Sequence, residues 1–100
     1  MFTKKILSKL PSSTIKFAKG SYCGSYAGNL NSGRILNISL GVNQEIRIDS
    51  DAYIASVRDS KGNLLVDQGV YDYRYVTKSK GNHAIRVMGD GYNYVQVCAY

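Results

Sequence analysis

Apolar residues recur at every second position along most of this chain, and this alternation constrains its fold more than any other feature. Leu36, Ile38 and Leu40 alternate with polar residues, and Ile46 and Ile48 repeat the pattern after a turn. Successive side chains of a β-strand point to opposite faces, so such segments form strands with one buried face. From residue 14 onward we therefore expect strands, and no helix longer than a turn.

Clusters of Gly, Asn, Ser and Asp separate the alternating segments, for example at residues 59–63 and 79–82. The predicted strands cover residues 15–18, 22–30, 36–40, 46–48, 53–57, 64–66, 70–76, 85–87 and 92–100. Short strands that return about every ten residues are typical of a sandwich or barrel. The sequence thus predicts an all-β fold, a single small antiparallel β-sandwich of eight or nine short strands. A small closed barrel is the alternative.

The chain has 100 residues, which is enough for one domain with one core. Residues 1–13 contain Lys4, Lys5 and Lys9 but no continuous apolar run, so they are predicted to be a polar leader or flexible N-terminus. Residues 14–100 are predicted to form the sandwich. No stretch approaches the roughly 20 apolar residues of a membrane-spanning helix.

Charge and aromatic content point to a binding surface. The 13 Lys and Arg against 7 Asp and Glu give a formal charge of +6, which favours an acidic partner. The chain has nine Tyr, two Phe and no Trp. One row of tyrosines is predicted on the strand 70–76 and another on the last strand. They either cover the core or form a platform for a sugar ring, a base or a protein. These tyrosines are Tyr71, Tyr73, Tyr75, Tyr92 and Tyr94, with Tyr100 at the end of the second row.

The two cysteines, Cys23 and Cys98, lie near the beginning and end of the predicted domain. A disulfide between them would stabilise the fold by about 4 kcal/mol on the chain-entropy model and would imply an oxidising compartment. Two separate buried thiols are the alternative, since free Cys packs as a small hydrophobe.

No pattern of residues indicates catalysis, a cofactor or a metal. His83 is the only His and no nucleophile signature surrounds it, so an enzyme is not predicted. Two Cys and one His do not make a zinc site. Asp49 and Asp51 lack the Gly and terminal Glu of a calcium loop, and most of the acids fall in turns, where Asp bonds the backbone.

Several short segments resemble a bacterial sandwich family that includes the periplasmic inhibitors of g-type lysozyme and the prepeptidase C-terminal domains. The resemblance covers about the last 85 residues, and its pieces are residues 15–20, 28–30, 43–48, 57–62 and 80–87. In the inhibitors, a Ser-Gly turn followed shortly by Tyr is said to enter the lysozyme cleft. Here Gly81 matches this turn, whereas Lys80 and His83 replace the Ser and the Tyr.

The resemblance implies a non-enzymatic binding protein, most concretely an inhibitor of a lysozyme-like or other secreted enzyme, in the periplasm or outside the cell. Its expected contacts are the turn Lys80, Gly81, Asn82 and His83 together with Tyr71, Tyr73, Tyr75, Tyr92 and Tyr94. One alternative is a polysaccharide- or cell-surface-binding module that uses the tyrosines. Another is a basic phage or bacterial protein that engages nucleic acid or a nucleic-acid-binding partner.

Overall fold

A computed structural model describes residues 10–100, and these residues fold into strands joined by turns and loops. Within this range no helix is suited to crossing a membrane. The strands are β1 Ser12–Ile15, β2 Cys23–Asn29, β3 Arg34–Leu40, β4 Glu45–Ser50, β5 Tyr53–Arg58, β6 Tyr73–Val76, β7 Gly81–Met88 and β8 Tyr92–Ala99.

The eight strands form two four-stranded sheets. The first sheet has the order β1-β3-β7-β5, and the second has the order β2-β8-β4-β6. The predicted sandwich is therefore confirmed, and the two sheets do not close into a barrel. One pair departs from the antiparallel arrangement, because β1 and β3 run parallel. The chain crosses to the second sheet for β2 and returns for β3, which leaves β1 and β3 pointing the same way.

Several predicted strands have other bounds in the structure; β6, for example, begins at Tyr73 and not at residue 70. Residues 64–66 are not a strand: the turn after β5 is followed by a single bridge between Arg58 and Leu64 and by a bond from Leu65 N to Val57 O of 2.8 Å. The predicted domain start at Thr14 falls inside β1, which begins at Ser12. The rest of the predicted leader, residues 1–9, lies outside the described residues.

The core lies between the sheets and consists of the inward-facing residues that the alternation predicted. In β8, for example, Val95 and Val97 are fully buried, whereas Tyr94 points to the outer face and is exposed. Full burial of one such aliphatic side chain contributes about 1.5–3 kcal/mol of transfer free energy. The core residues are Ile15, Leu30, Leu36, Ile38, Leu40, Ile46, Ile48, Ile54, Val57, Leu65, Tyr75, Ile85, Val87, Val95, Val97 and Ala99.

Strand directions divide the loops between the two ends of the sandwich. The pairing registers place residues 16–22, 41–44, 59–63 and 77–80 at one end, here called the upper end. Residues 30–33, 51–52 and 89–91 lie at the opposite, lower end. The segment from residue 64 to residue 72 descends from the upper to the lower end along the edge formed by β5 and β6.

Cys23 and Cys98 form a disulfide, with 1.99 Å between the sulfurs and 4.0 Å between the Cα atoms. They are directly opposed residues of β2 and β8, so the bridge lies across two neighbouring strands on the outer face of the second sheet. The predicted disulfide is thereby confirmed. It links the edge strand β2 to its neighbour β8, which is the last of the eight strands.

Candidate functional site

Two loops of the upper end are joined through the buried residue Thr77. The Thr77 hydroxyl donates to the Gly41 carbonyl at 2.6 Å and accepts from the Gln44 backbone N–H at 2.8 Å. Its own backbone N–H donates to the Gln44 carbonyl at 2.9 Å, and its carbonyl accepts from Asn43 N–H at 3.0 Å. These four bonds fix the loop 77–80 against the loop 41–44. Because Thr77 is fully buried, water does not compete for them.

The loop 59–63 is organised by the carboxylate of Asp59. Its Oδ1 accepts from the backbone N–H groups of Asn63, at 2.9 Å, and Lys61, at 3.0 Å. The bond from Asn63 is the main cause that lowers the Asp59 pKa below its ordinary value, and the bond from Lys61 acts in the same direction. Ser60 then contacts Ser79 through their hydroxyl oxygens, 2.6 Å apart, and so links this loop to the loop 77–80.

The joined loops 41–44, 59–63 and 77–80, with Arg58 at their base, are here called the basic tip. Arg58, Lys61, Lys78 and Lys80 are all exposed there. Asp59 is the one acid on these loops, and it is buried and bonded to backbone N–H groups. The tip therefore presents a cluster of positive charge on a hydrogen-bonded frame.

Acidic residues are concentrated elsewhere on the molecule. Asp51 and Asp90 follow strands at the lower end, and Asp67 and Asp72 lie on the segment along the edge of β5 and β6. Lys16 and Lys19, by contrast, follow β1 at the upper end. Among residues 10–100, the cations of the basic tip together with Lys16 and Lys19 outnumber the acids at the upper end, and this excess would steer that end toward an acidic partner.

The structure divides the predicted turn 80–83 between surface and core. Lys80 and Asn82 are exposed, and Asn82 Nδ2 donates to Asn37 Oδ1 at 3.1 Å. His83 is fully buried, with its Nδ1 2.9 Å from the Gly81 carbonyl oxygen and no partner for Nε2 among the described residues. It faces inward because it has the same strand parity as Ile85. The His83 side chain is therefore inside the sandwich and is not part of the surface of the tip.

The tyrosines predicted on the strand 70–76 do not form one exposed row. Tyr75 is only 3% exposed and belongs to the core, where desolvation raises its pKa to about 12. Tyr73 is half-buried against the core, and Tyr71 lies before β6 and is completely exposed. Tyr75 is therefore part of the core, and Tyr73 packs largely against it. Because its side chain is buried, Tyr75 does not belong to the exposed surface predicted for contacts.

The tyrosines of β8 lie on the outer face of the second sheet. Tyr92 and Tyr94 are exposed near the lower end. Tyr100 lies at the upper end, 6.1 Å from Tyr22 between ring centroids, and the Arg47 guanidinium is 5.6 Å from the centroid of its ring. The structure thus does not bring Tyr92 and Tyr94 together with Lys80.

Sequence reasoning missed the residues that hold the tip together. Thr77, Ser60 and Ser79 were not predicted to matter, because their bonds join loops that are distant in the chain. One feature of the sequence did point to Arg58, Lys61 and Lys78: each of them lies in or beside a predicted turn. Within residues 10–100, no three His, Cys, Asp or Glu side chains converge as metal ligands would.

Comparisons with known proteins bear on the fold. No protein-family model matches the chain, and no curated protein matches it. Among solved structures, the periplasmic inhibitor of g-type lysozyme PliG from Aeromonas hydrophila has a TM-score of 0.72 at 12% identity, over 92% of this chain and 98% of its own.

Two further PliG structures show the same likeness. PliG from Salmonella Typhimurium has a TM-score of 0.65, and a mutant of PliG from Escherichia coli has 0.63. Each is 13% identical and aligns over 92% of this chain and 100% of its own. This chain therefore has the fold of these periplasmic inhibitors, with little of their sequence.

Proposed function

We propose that this protein is a non-enzymatic inhibitor of a lysozyme-like enzyme, which it binds with the basic tip. The observation that carries the proposal is the tip itself, a cluster of exposed cations on loops fixed to one another by Thr77, Ser60 and Ser79. The shared fold with inhibitors of g-type lysozyme supports the same function.

The chemistry of the target favours a basic contact. Enzymes that cleave glycosidic bonds generally hold a pair of Asp or Glu side chains beside the scissile bond, in a cleft shaped for a sugar chain. Lys80 lies between Ser79, which is bonded to Ser60, and the first residue of β7. Its ammonium group would pair with an acidic cleft, while Gly81 and Asn82 would contact the cleft wall. Bound in this way, the tip would block access of the substrate.

The fixed geometry of the tip would favour affinity, because loops that are already ordered lose little conformational entropy on binding. The disulfide accords with an extracytoplasmic site of action, since such bridges persist in oxidising compartments. We therefore place the protein in the periplasm or outside the cell, where enzymes that attack the cell wall act.

The test is an inhibition assay with the purified, oxidised protein. Cell-wall lysis by g-type and c-type lysozymes is measured at micromolar inhibitor, and loss of activity of at least the g-type enzyme is expected. Full activity of both enzymes would overturn the proposal. Retention on insoluble chitin or peptidoglycan would then favour a polysaccharide-binding module, and binding to DNA that collapses with salt would favour the nucleic-acid alternative.

A further inference from the structure

An exposed apolar surface runs along the edge of the sandwich where β5 and β6 end the two sheets. It contains five of the eleven large hydrophobic side chains that are exposed among the described residues, each between 58% and 100% accessible. A groove of about 490 Å³ and a smaller one of about 260 Å³ adjoin there, with Asp67 and Tyr73 lining both. We call this surface the edge patch, and its members are Tyr53, Leu64, Val66, Val70 and Tyr71.

Such a cluster of exposed apolar side chains needs a physical explanation. Large apolar patches on soluble proteins mark interaction sites, whereas single exposed hydrophobics are ordinary. The edge patch lies along the side of the sandwich and the basic tip lies at its upper end, so the proposed inhibitory contact leaves the patch uncovered.

The edge patch borders a strand that is open to pairing. β5 is the last strand of the first sheet. In the described part of the chain, Leu64 and Leu65 meet its free side near the upper end, and the Ile54 backbone N–H donates to the Tyr73 hydroxyl at 3.5 Å. Residues 53–56 have no strand beside them on that side. The register with β7 also shifts between Ile54 and Ser56, so Ala55 lies in a bulge. A sheet edge with unpaired backbone groups is a template for another strand, and a bulge is one of the features that limit such pairing.

The charges at the two ends of β5 select the partner strand. Arg58 is exposed at the upper end of β5, and Asp51 is exposed just before its lower end. If two copies of β5 pair antiparallel about a two-fold axis, the upper end of each lies beside the lower end of the other. Arg58 of each copy then approaches Asp51 of its partner, so both ends of the interface join opposite charges.

We propose that two copies of this chain associate through their β5 edges, with the edge patch buried between them. The interface is isologous, so each copy contributes the same surface, as in most soluble dimers. Antiparallel pairing directs the two basic tips to opposite ends of the dimer, where both remain free. The proposal does not rest on the proposed function: of the basic tip it uses only Arg58, and Lys61, Lys78 and Lys80 take no part in the interface.

Sedimentation velocity over a range of concentrations tests the association. We expect a reversible monomer–dimer equilibrium for the unmodified protein. Tyr71→Asp should raise the dissociation constant at least about tenfold, because a charged residue would replace a completely exposed aromatic of the edge patch that dimerisation would bury. Tyr92→Asp is the matched control, since Tyr92 is also exposed but lies on the outer face of the second sheet. Circular dichroism verifies that both variants fold.

Two outcomes would overturn the proposal. One is a protein that stays monomeric at the highest concentration reached, and the other is a dimer that Tyr71→Asp and Tyr92→Asp weaken equally.

Cross-linking gives a second measurement. Exposed Ala55 lies at the middle of the free edge, so Ala55→Cys should form a disulfide-linked dimer under mild oxidation. Ser39→Cys, exposed on the strand β3 inside the first sheet, should remain monomeric. Equal cross-linking of the two variants would also contradict the interface.

Discussion

Gly81 approaches Ser60 so closely that a Cβ atom on Gly81 would lie 2.9 Å from the Ser60 Cβ. Its φ of 135° is also a value that residues with a side chain rarely adopt. Glycine at position 81 thus lets the loop 59–63 lie against the start of β7, and the frame of the basic tip depends on it.

Replacement of Gly81 should loosen this frame. We expect Gly81→Ala to lower the free energy of unfolding by about 1–3 kcal/mol, because the new methyl group meets Ser60 and the backbone is strained. Gly91→Ala is the matched control, since a Cβ there meets no atom within 4 Å and its φ is not positive. Urea denaturation of both variants gives the comparison, and equal stability would show that the contact is not restrictive.

Reversal of charge at Lys80 should weaken inhibition. Lys80→Glu removes a cation from the tip and sets a carboxylate against the acidic cleft, so we expect the inhibition constant to rise about tenfold or more. Arg86→Glu changes the net charge by the same amount but lies on the outer face of the first sheet, away from the tip. If both variants inhibit equally well, net charge rather than the tip governs the interaction.

The disulfide should account for a large part of the stability. Its two cysteines are 75 residues apart, so reduction restores much freedom to the unfolded chain. Cys23→Ser with Cys98→Ser should lower the free energy of unfolding by about 2–5 kcal/mol. Dithiothreitol should shift the urea midpoint of the unmodified protein and leave that of the double variant unchanged. A midpoint that reductant does not move would contradict this expectation.

Asp59 should make the stability depend on pH under acidic conditions. Its pKa in the folded protein is below the ordinary value of 3.8, so the carboxylate stabilises the fold above about pH 4. This contribution is lost as the pH falls through the lower, folded pKa. Asp59→Asn should therefore flatten the decline of the melting temperature below about pH 4. Asp49→Asn, at an exposed position of β4, serves as the control, and parallel melting curves for all three proteins would refute the assignment.

Tyr75 should titrate later than an ordinary tyrosine. Burial raises its pKa to about 12, so its neutral form stabilises the fold below about pH 10, and the contribution is lost as the pH rises toward 12. An ultraviolet titration of the folded protein should show one late tyrosine, and Tyr75→Phe should remove that step. Tyr71→Phe, at a completely exposed position, should leave it in place.

Local alternation was sufficient to predict most strands. In β4, Ile46 and Ile48 alternate with Glu45, Arg47 and Asp49, and the structure buries both isoleucines. The same rule reaches back from Ile85 to His83, so the burial of His83 was readable from the sequence.

Features that depend on distant parts of the chain were not predictable in this way. The parallel pairing of β1 with β3 follows from where β2 joins the other sheet, which no local pattern encodes. Tyr71 has the parity of Tyr75, yet β6 begins only at Tyr73, so parity said nothing about its exposure. The bonds of Thr77 join positions more than 30 residues apart, which only the folded chain reveals.

The direction of β1 has a practical consequence for handling the molecule. Since β1 runs parallel to β3, the chain enters the sandwich at the lower end, whereas Tyr100 ends it at the upper end beside Tyr22 and Arg47. An affinity tag or resin attached before β1 would hold the molecule from the lower end and display the lysines of the basic tip outward. A fusion after Tyr100 would crowd them, so immobilisation from the N-terminal side is the better geometry for capturing a target.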